Sequence, residues 1–252
     1  MSKKIIAIVP AAGVGQRALD TSNEGAAVPK QYRLLKGKPM LRWSVEALLA
    51  DPRVEQVRVV VAVDDPRAQA VLDGLARVVV RPVGGPTRAE PVSAGLADAA
   101  LDNDAWVLVH DAARPGLPLS SLNRLIDICL YEQQGGLLAL PVADTVKKAH
   151  KAAAFAPAEG CVLTGTAGKP ATRYAVAETL SRESLWLAQT PQMFPAELLR
   201  KALLQAHRAG VEITDEASAM ERYGVEPRLI PGDPRNFKVT WPSDFDLMEK
   251  WL

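Results

Sequence analysis

Short apolar runs alternate with amphipathic stretches along much of the chain. The runs at 5–9, 57–63 (VRVVVAV), 78–80, 106–109 (WVLV) and 137–142 (LLALPV) have the length and branched content of buried parallel strands. Between them, residues 40–49, 67–75, 87–101 and 119–133 repeat apolar positions at helical spacing. This alternation predicts βαβ units: an α/β fold with a Rossmann-like, mostly parallel sheet and helices on both faces. Further on, 195–209 reads as a helix, with Pro195 at its first turn and Gly210 at its stop. Thr214 is placed to cap another helix, residues 237–240 (FKVT) read as a short strand, and 241–252 close the chain as a helix.

One stretch breaks the pattern. Residues 143–148 lead into Ala/Gly-rich, poorly periodic sequence up to 169, and 172–177 (TRYAVA) then alternate like a strand. The expectation is one domain over 1–252 with an inserted, projecting β-arm at 142–184. An isolated two-stranded arm is rarely stable alone, so a crossing to a partner subunit is expected.

In a parallel sheet ligands gather outside the carboxyl ends of the strands. The loops there are unusual. The first strand empties into Pro10, Ala11, Ala12, Gly13, Val14, Gly15, Gln16 and Arg17. Small residues let a phosphate chain approach the backbone N–H groups closely. Between positions 17 and 42 lie six basic residues, Lys30 among them, against Asp20 and Glu24. A triphosphate cradle fits these features. A dinucleotide turn also fits the glycine spacing, but the turn-rich residues 20–25 and Pro29 interrupt the helix it requires. The second loop is Gly84-Gly85-Pro86-Thr87-Arg88, either an anion- or base-binding turn or a plain helix start capped by Thr87. The third is His110-Asp111-Ala112-Ala113-Arg114-Pro115, where Asp111 can hold a metal ion or a ribose hydroxyl. His110 alternates away from the buried residues and reads as structural.

Bulk properties remove several functions. The chain has 252 residues and a net charge of +1, so no global basic field argues for nucleic acid. Its two cysteines, Cys129 and Cys161, make no disulfide framework, which suits a cytoplasmic protein. No stretch is long and apolar enough to cross a membrane.

Together PAAGxGxR, PKQY, the Gly-Gly-x-Thr-Arg turn, HDAARP, ADT, LWxAQTPQxF, ITDEASAxE and the final FKVT resemble the 2-C-methyl-D-erythritol 4-phosphate cytidylyltransferases of the non-mevalonate isoprenoid pathway. The resemblance implies a homodimer, held through the arm, that joins CTP to the sugar-alcohol phosphate. The products would be 4-diphosphocytidyl-2-C-methyl-D-erythritol and pyrophosphate, formed by in-line attack of the substrate phosphate on the CTP α-phosphate. It implies Mg²⁺ or another divalent cation, held mainly by the CTP phosphates, with Asp111 as a candidate ligand. It further implies Arg17, Lys30 and Lys238 as catalytic residues. Pro10, Ala11, Ala12, Gly13, Gly15, Gly85, Arg88, Asp111 and Ala112 would bind CTP. Asp111, Arg114, Thr145, Arg182, Thr214 and Lys238 would bind the acceptor, Thr145 and Arg182 from the other subunit's arm.

Three departures from the family pattern stand out: a longer link over 19–28, Pro91 where serine is usual, and Arg235-Asn236 where Asp-Asn is usual. Two alternatives stay open at this stage: a ribitol-5-phosphate cytidylyltransferase, which would differ at Thr214 and Arg182, and a non-catalytic nucleotide-binding protein of the same fold, which Pro91 and Arg235 keep open.

Overall fold

The computed structural model describes residues 3–13, 28–85, 89–151 and 174–252. Gly15, Arg17, Thr87, Arg88, most of the 19–28 link and the core of the 150–170 segment lie outside them. The chain divides into two compact units, one formed by Met1–Leu140 with Ala188–Leu252 and one by Pro141–Leu187.

The first unit is built on a seven-stranded sheet. Its strands are β1 (Ile5–Pro10), β4 (Val54–Ala62), β5 (Val78–Gly84), β6 (Trp106–Val109), β7 (Gly136–Pro141), β10 (Trp186–Pro195) and β11 (Arg228–Pro231), in the order β11-β7-β10-β6-β1-β4-β5. A small hairpin, β2 (Leu34–Leu35) with β3 (Lys38–Pro39), stands apart from it. The helices are α1 (Met40–Leu49), α2 (Ala68–Leu72), α3 (Ala89–Ala99), α4 (Leu119–Glu132), α5 (Ala196–Arg208), α6 (Glu216–Arg222) and α7 (Pro242–Trp251).

β1 runs parallel to both β4 and β6, and β4 to β5, while β10 is antiparallel to β6. The period of two along β1 sends Ile5, Ala7 and Val9 into one core and Ile6 and Ile8 into the other. The first core is closed by Leu41, Val45, Leu122, Leu125 and Ile126 of α1 and α4, the second by Val92, Leu199, Leu203 and Met220 of α3, α5 and α6. A sheet covered on both faces needs strands apolar on both faces, which is why these runs are continuous rather than alternating. From β1 the chain winds outward through β4 and β5, then returns to place β6 on β1's other side. The crevice at the carboxyl ends of β1 and β6 is therefore the topological switch point.

The second unit holds β8 (Val146–Lys151) paired antiparallel with β9 (Tyr174–Leu180). Its strands are largely exposed, apolar Tyr174, Val176 and Leu180 included.

Two expectations are corrected. Residues 237–240 do not form a strand; Val239 N–H donates to the Ala113 carbonyl at 2.9 Å and the segment otherwise runs irregularly. Thr214 does not cap α6. Asp215 does, accepting from Ser218 N–H at 2.9 Å while the Ser218 hydroxyl faces Asp215 N–H in a capping box.

At the end of β5, a Cβ on Gly84 would lie 2.5 Å from the Ala12 Cβ and 2.7 Å from the Val61 carbonyl oxygen. Neither neighbour can swing aside. Gly84→Ala is expected to cost about 2 kcal/mol through forced backbone movement, read as a lower urea midpoint. An unchanged midpoint would show that this contact does not hold the loops together.

Candidate active site

Three consecutive residues after the first loop are anchored to three different places. Lys30 Nζ donates to the Val239 carbonyl at 2.7 Å, and Gln31 Nε2 to the Ala11 carbonyl at 2.9 Å. The Tyr32 hydroxyl donates to Asp65 Oδ2 at 2.5 Å. Burial and the Asp65 carboxylate push the Tyr32 phenol above its ordinary range. Burial alone would raise Asp65, but hydrogen bonds from Tyr32 and from Arg67 and Ala68 N–H outweigh it and hold that carboxyl low. This anchoring holds Lys30 at the switch-point crevice. Pro10, Ala11, Ala12 and Gly13 follow from the end of β1 at the same crevice, and a Cβ on Gly13 would meet nothing within 4 Å among the described residues. Gly85 sits under the Glu90 side chain at the start of α3.

The 110–114 loop supplies the charge. Asp111 Oδ2 lies 3.0 Å from Lys238 Nζ and 3.3 Å from Arg114 Nε. Arg114 also donates to the carbonyls of Asn236 at 2.8 Å and Ala188 at 3.2 Å. Ala112 is buried, and its carbonyl accepts from the Ser44 hydroxyl at 3.0 Å. Lys238 is thus drawn to Asp111 although it lies on no strand. Gln192, paired opposite Val109 in the sheet, donates to Asp215 Oδ2 and accepts from Ala217 N–H. That brings the start of α6, and exposed Thr214, toward the same strand ends.

Of the expected residues, Pro10, Ala11, Ala12, Gly13, Lys30, Gly85, Asp111, Ala112, Arg114 and Lys238 therefore gather at the carboxyl edge of the sheet. Thr145 and Arg182 are exposed in the second unit, where Arg182 donates to the Ala143 carbonyl. Sequence reasoning passed over Gln31, Gln189, Thr190, Gln192 and Asn236. Their signal was burial of a polar side chain inside a motif, which only partners distant in sequence reveal.

Two of the departures, Pro91 and Arg235-Asn236, prove local. Pro91 falls in the first turn of α3, where a missing N–H costs no helical bond. Arg235 turns outward onto Asp233, at 3.1 Å, and Asn236 takes the buried position.

His110 is wholly buried rather than turned away from the core. Burial pulls its imidazole from 6.5 to about 4. The unfolded chain takes up this proton near 6.5, so the stability it contributes is complete above that pH and fades as pH falls toward 4, by about 1.4 kcal/mol per unit. Between pH 6.5 and 4.5 the urea midpoint is expected to fall, and less steeply in His110→Gln. Equal slopes for the two proteins would contradict this origin.

A switch-point crevice that offers the cations Lys30, Arg114 and Lys238 at the strand ends suits transfer between phosphates. Nucleotidyltransferase is the class that this sheet and site define. Residues 5–160 and 162–252 match the IspD family, 2-C-methyl-D-erythritol 4-phosphate cytidylyltransferase, and the chain belongs to that family. It is 57% identical over all 252 residues to the 2-C-methyl-D-erythritol 4-phosphate cytidylyltransferase of Bordetella parapertussis, covering both chains completely. A crystal structure of a 4-diphosphocytidyl-2C-methyl-D-erythritol synthase matches with TM-score 0.76 and 35% identity, over 100% of this chain and 99% of that one. The Francisella tularensis cytidylyltransferase matches with TM-score 0.75 and 28% identity, over 99% and 100%.

Proposed function

We propose that the protein transfers the cytidylyl group of CTP to 2-C-methyl-D-erythritol 4-phosphate, releasing pyrophosphate. The observation that carries this reading is the pairing of Arg114 and Lys238 with Asp111 at the switch point, with Lys30 held on the nearby Val239 carbonyl, in a chain of this family. An acceptor phosphate oxygen attacks the CTP α-phosphorus, and the bond to the α–β bridging oxygen breaks. The monoester is already an anion near neutral pH, so no base is required. The obstacle is the meeting of two anions, which repel by about 1 kcal/mol at 4 Å in water and several-fold more in a cleft. Lys238 and Arg114 neutralise the acceptor phosphate, and Lys30 the charge growing at the α-phosphate and on the leaving pyrophosphate. Main chain at 11–13 cradles the triphosphate, and Gly85 lies beside the cytidine.

Among the described residues no cluster of three or more His, Cys, Asp or Glu could enclose a metal ion. That suits a cation such as Mg²⁺, which keeps waters and takes one or two carboxylates beside substrate phosphates. Asp111 is the carboxylate that would hold it, and the bound ion would supply charge neutralisation along the triphosphate.

The protein works as a cytoplasmic homodimer in this reading, with Thr145 and Arg182 of each arm serving the neighbouring site. Exposed Leu185, Trp186 and Leu187 join Tyr174 and Val176 as apolar surface on the second unit, suited to a partner. Among the described residues no helix is long and apolar enough to cross a membrane. Mixing inactive Lys30→Ala and Arg182→Ala chains is expected to restore activity, because each mixed dimer holds one site with neither lesion. No recovery after subunit exchange would contradict the shared site.

The reaction itself is tested by ³¹P NMR of the product mixture. A coupled diphosphate pair should appear in equal amount with free pyrophosphate. Release of inorganic phosphate instead would overturn the reading.

A further inference from the structure

The most buried polar network in the site runs through a residue with no catalytic assignment. The His110 ring touches one end of the Asp111–Arg114 turn directly and reaches the other through Thr190. Its Nε2 lies 3.1 Å from the Arg114 carbonyl, which can only accept, so Nε2 carries the proton. In the neutral ring Nδ1 is then an acceptor. Thr190 Oγ1, 3.0 Å away, donates to it, and the same hydroxyl oxygen accepts from Asp111 N–H at 3.0 Å. Donors and acceptors alternate around the ring without a gap. His110 N–H in turn donates to the Ile8 carbonyl at 3.0 Å, tying the turn to β1. Asn236 Nδ2 donates to the Thr190 carbonyl at 2.7 Å, and the Asn236 carbonyl accepts from Arg114 at 2.8 Å. The backbone next to Lys238 is thus locked to the same residues.

We propose that His110, as its Nε2–H tautomer, is a positioning residue: it closes the 110–114 turn through Thr190 and the Arg114 carbonyl, and so aims the Asp111 carboxylate and the Arg114 guanidinium at the acceptor phosphate. The imidazole touches no reactant. Asp111 and Arg114 stand at the two ends of a turn of four residues, and the turn's own backbone supplies a single closing bond, Arg114 N–H to the Asp111 carbonyl at 3.1 Å. A second brace across the turn is what the ring provides. Misplacing a reacting group by about 1 Å costs on the order of 10²-fold in rate, so loss of the brace is expected to show in the acceptor half of the reaction. CTP, which meets this turn only at Asp111 and Ala112 and otherwise rests on residues 11–13 and 85, should lose much less affinity than the acceptor does.

This inference rests on the cytidylyl-transfer reading, and its test separates the two. Wild type is assayed first with CTP and 2-C-methyl-D-erythritol 4-phosphate; absence of turnover there sinks the functional reading. The positioning role is read independently by ¹H–¹⁵N NMR of histidine-labelled protein at pH 7.5. A protected Nε2–H signal is expected for His110, and a protonated Nδ1 would overturn the proposal. His110→Phe, which keeps the ring's bulk, and His110→Gln, which can still reach the Arg114 carbonyl, are then compared. CTP-binding stoichiometry counts the folded fraction of each. Per folded site, His110→Phe is expected to lower kcat/KM for the acceptor on the order of 10²-fold, with the Kd for CTP within about threefold. His110→Gln should recover a substantial part of that loss. If folded His110→Phe keeps wild-type acceptor kinetics, or if CTP binding weakens as much as acceptor turnover, the ring serves stability alone and the proposal fails.

Discussion

Lys30→Ala is expected to lower kcat on the order of 10²–10³-fold while leaving the Kd for CTP within a few-fold. The reason lies in where the charge grows. Triphosphate in the ground state is held by several groups at once, so one missing ammonium is shared among them. Negative charge on the leaving pyrophosphate appears only as the α–β bond breaks, and the role proposed for Lys30 is to meet that charge. Its neighbours make that position rigid: Gln31 is bonded to Ala11, Tyr32 to Asp65, and Lys30 itself to Val239. Single-turnover rates with saturating CTP, set beside equilibrium CTP binding, separate the two effects. A rise in Kd with an unchanged rate would make Lys30 a ground-state ligand only.

Removal of the Asp111 carboxylate should cost more. Asp111 is 7% exposed and its Oδ2 faces both Lys238 and Arg114. Without it, buried Arg114 loses its carboxylate beside the half-exposed Lys238, and breaking a buried pair such as Asp111–Arg114 costs about 3–5 kcal/mol. Asp111→Ala is therefore expected both to lower stability by about that amount and to reduce kcat/KM for the acceptor by more than roughly 10³-fold. Asp111→Asn keeps the shape and separates the effects. Its urea midpoint should recover in part, whereas its activity should stay low, because the amide cannot balance the two cations. Activity of Asp111→Asn within tenfold of wild type would show that the charge is not needed.

Much of this site could be read before any coordinates, for a physical reason. Small residues and charges clustered after apolar runs mark strand ends, and strand ends are where parallel sheets bind ligands. The segments that open at Pro10 and at His110 carry that mark, at the ends of β1 and β6. What failed depended on partners far away in sequence. Residues 237–240 alternate like a strand, yet Val239 pairs with Ala113 and the segment wraps the site irregularly. His110 follows the last paired residue of β6, where the period of two no longer says which way a side chain points. Its partner Thr190 lies 80 positions away. Thr214 and Asp215 are both good caps, and the Ser218 side chain, which completes the box with Asp215, decides between them.

The measurement that tests the account most directly is pyrophosphate release by the purified protein with Mg²⁺. It is run with CTP and with UTP, each against 2-C-methyl-D-erythritol 4-phosphate and ribitol 5-phosphate. The account predicts release with CTP and 2-C-methyl-D-erythritol 4-phosphate and little with the other pairs. Release that prefers ribitol 5-phosphate, or none with any pair from protein that binds CTP, would contradict it.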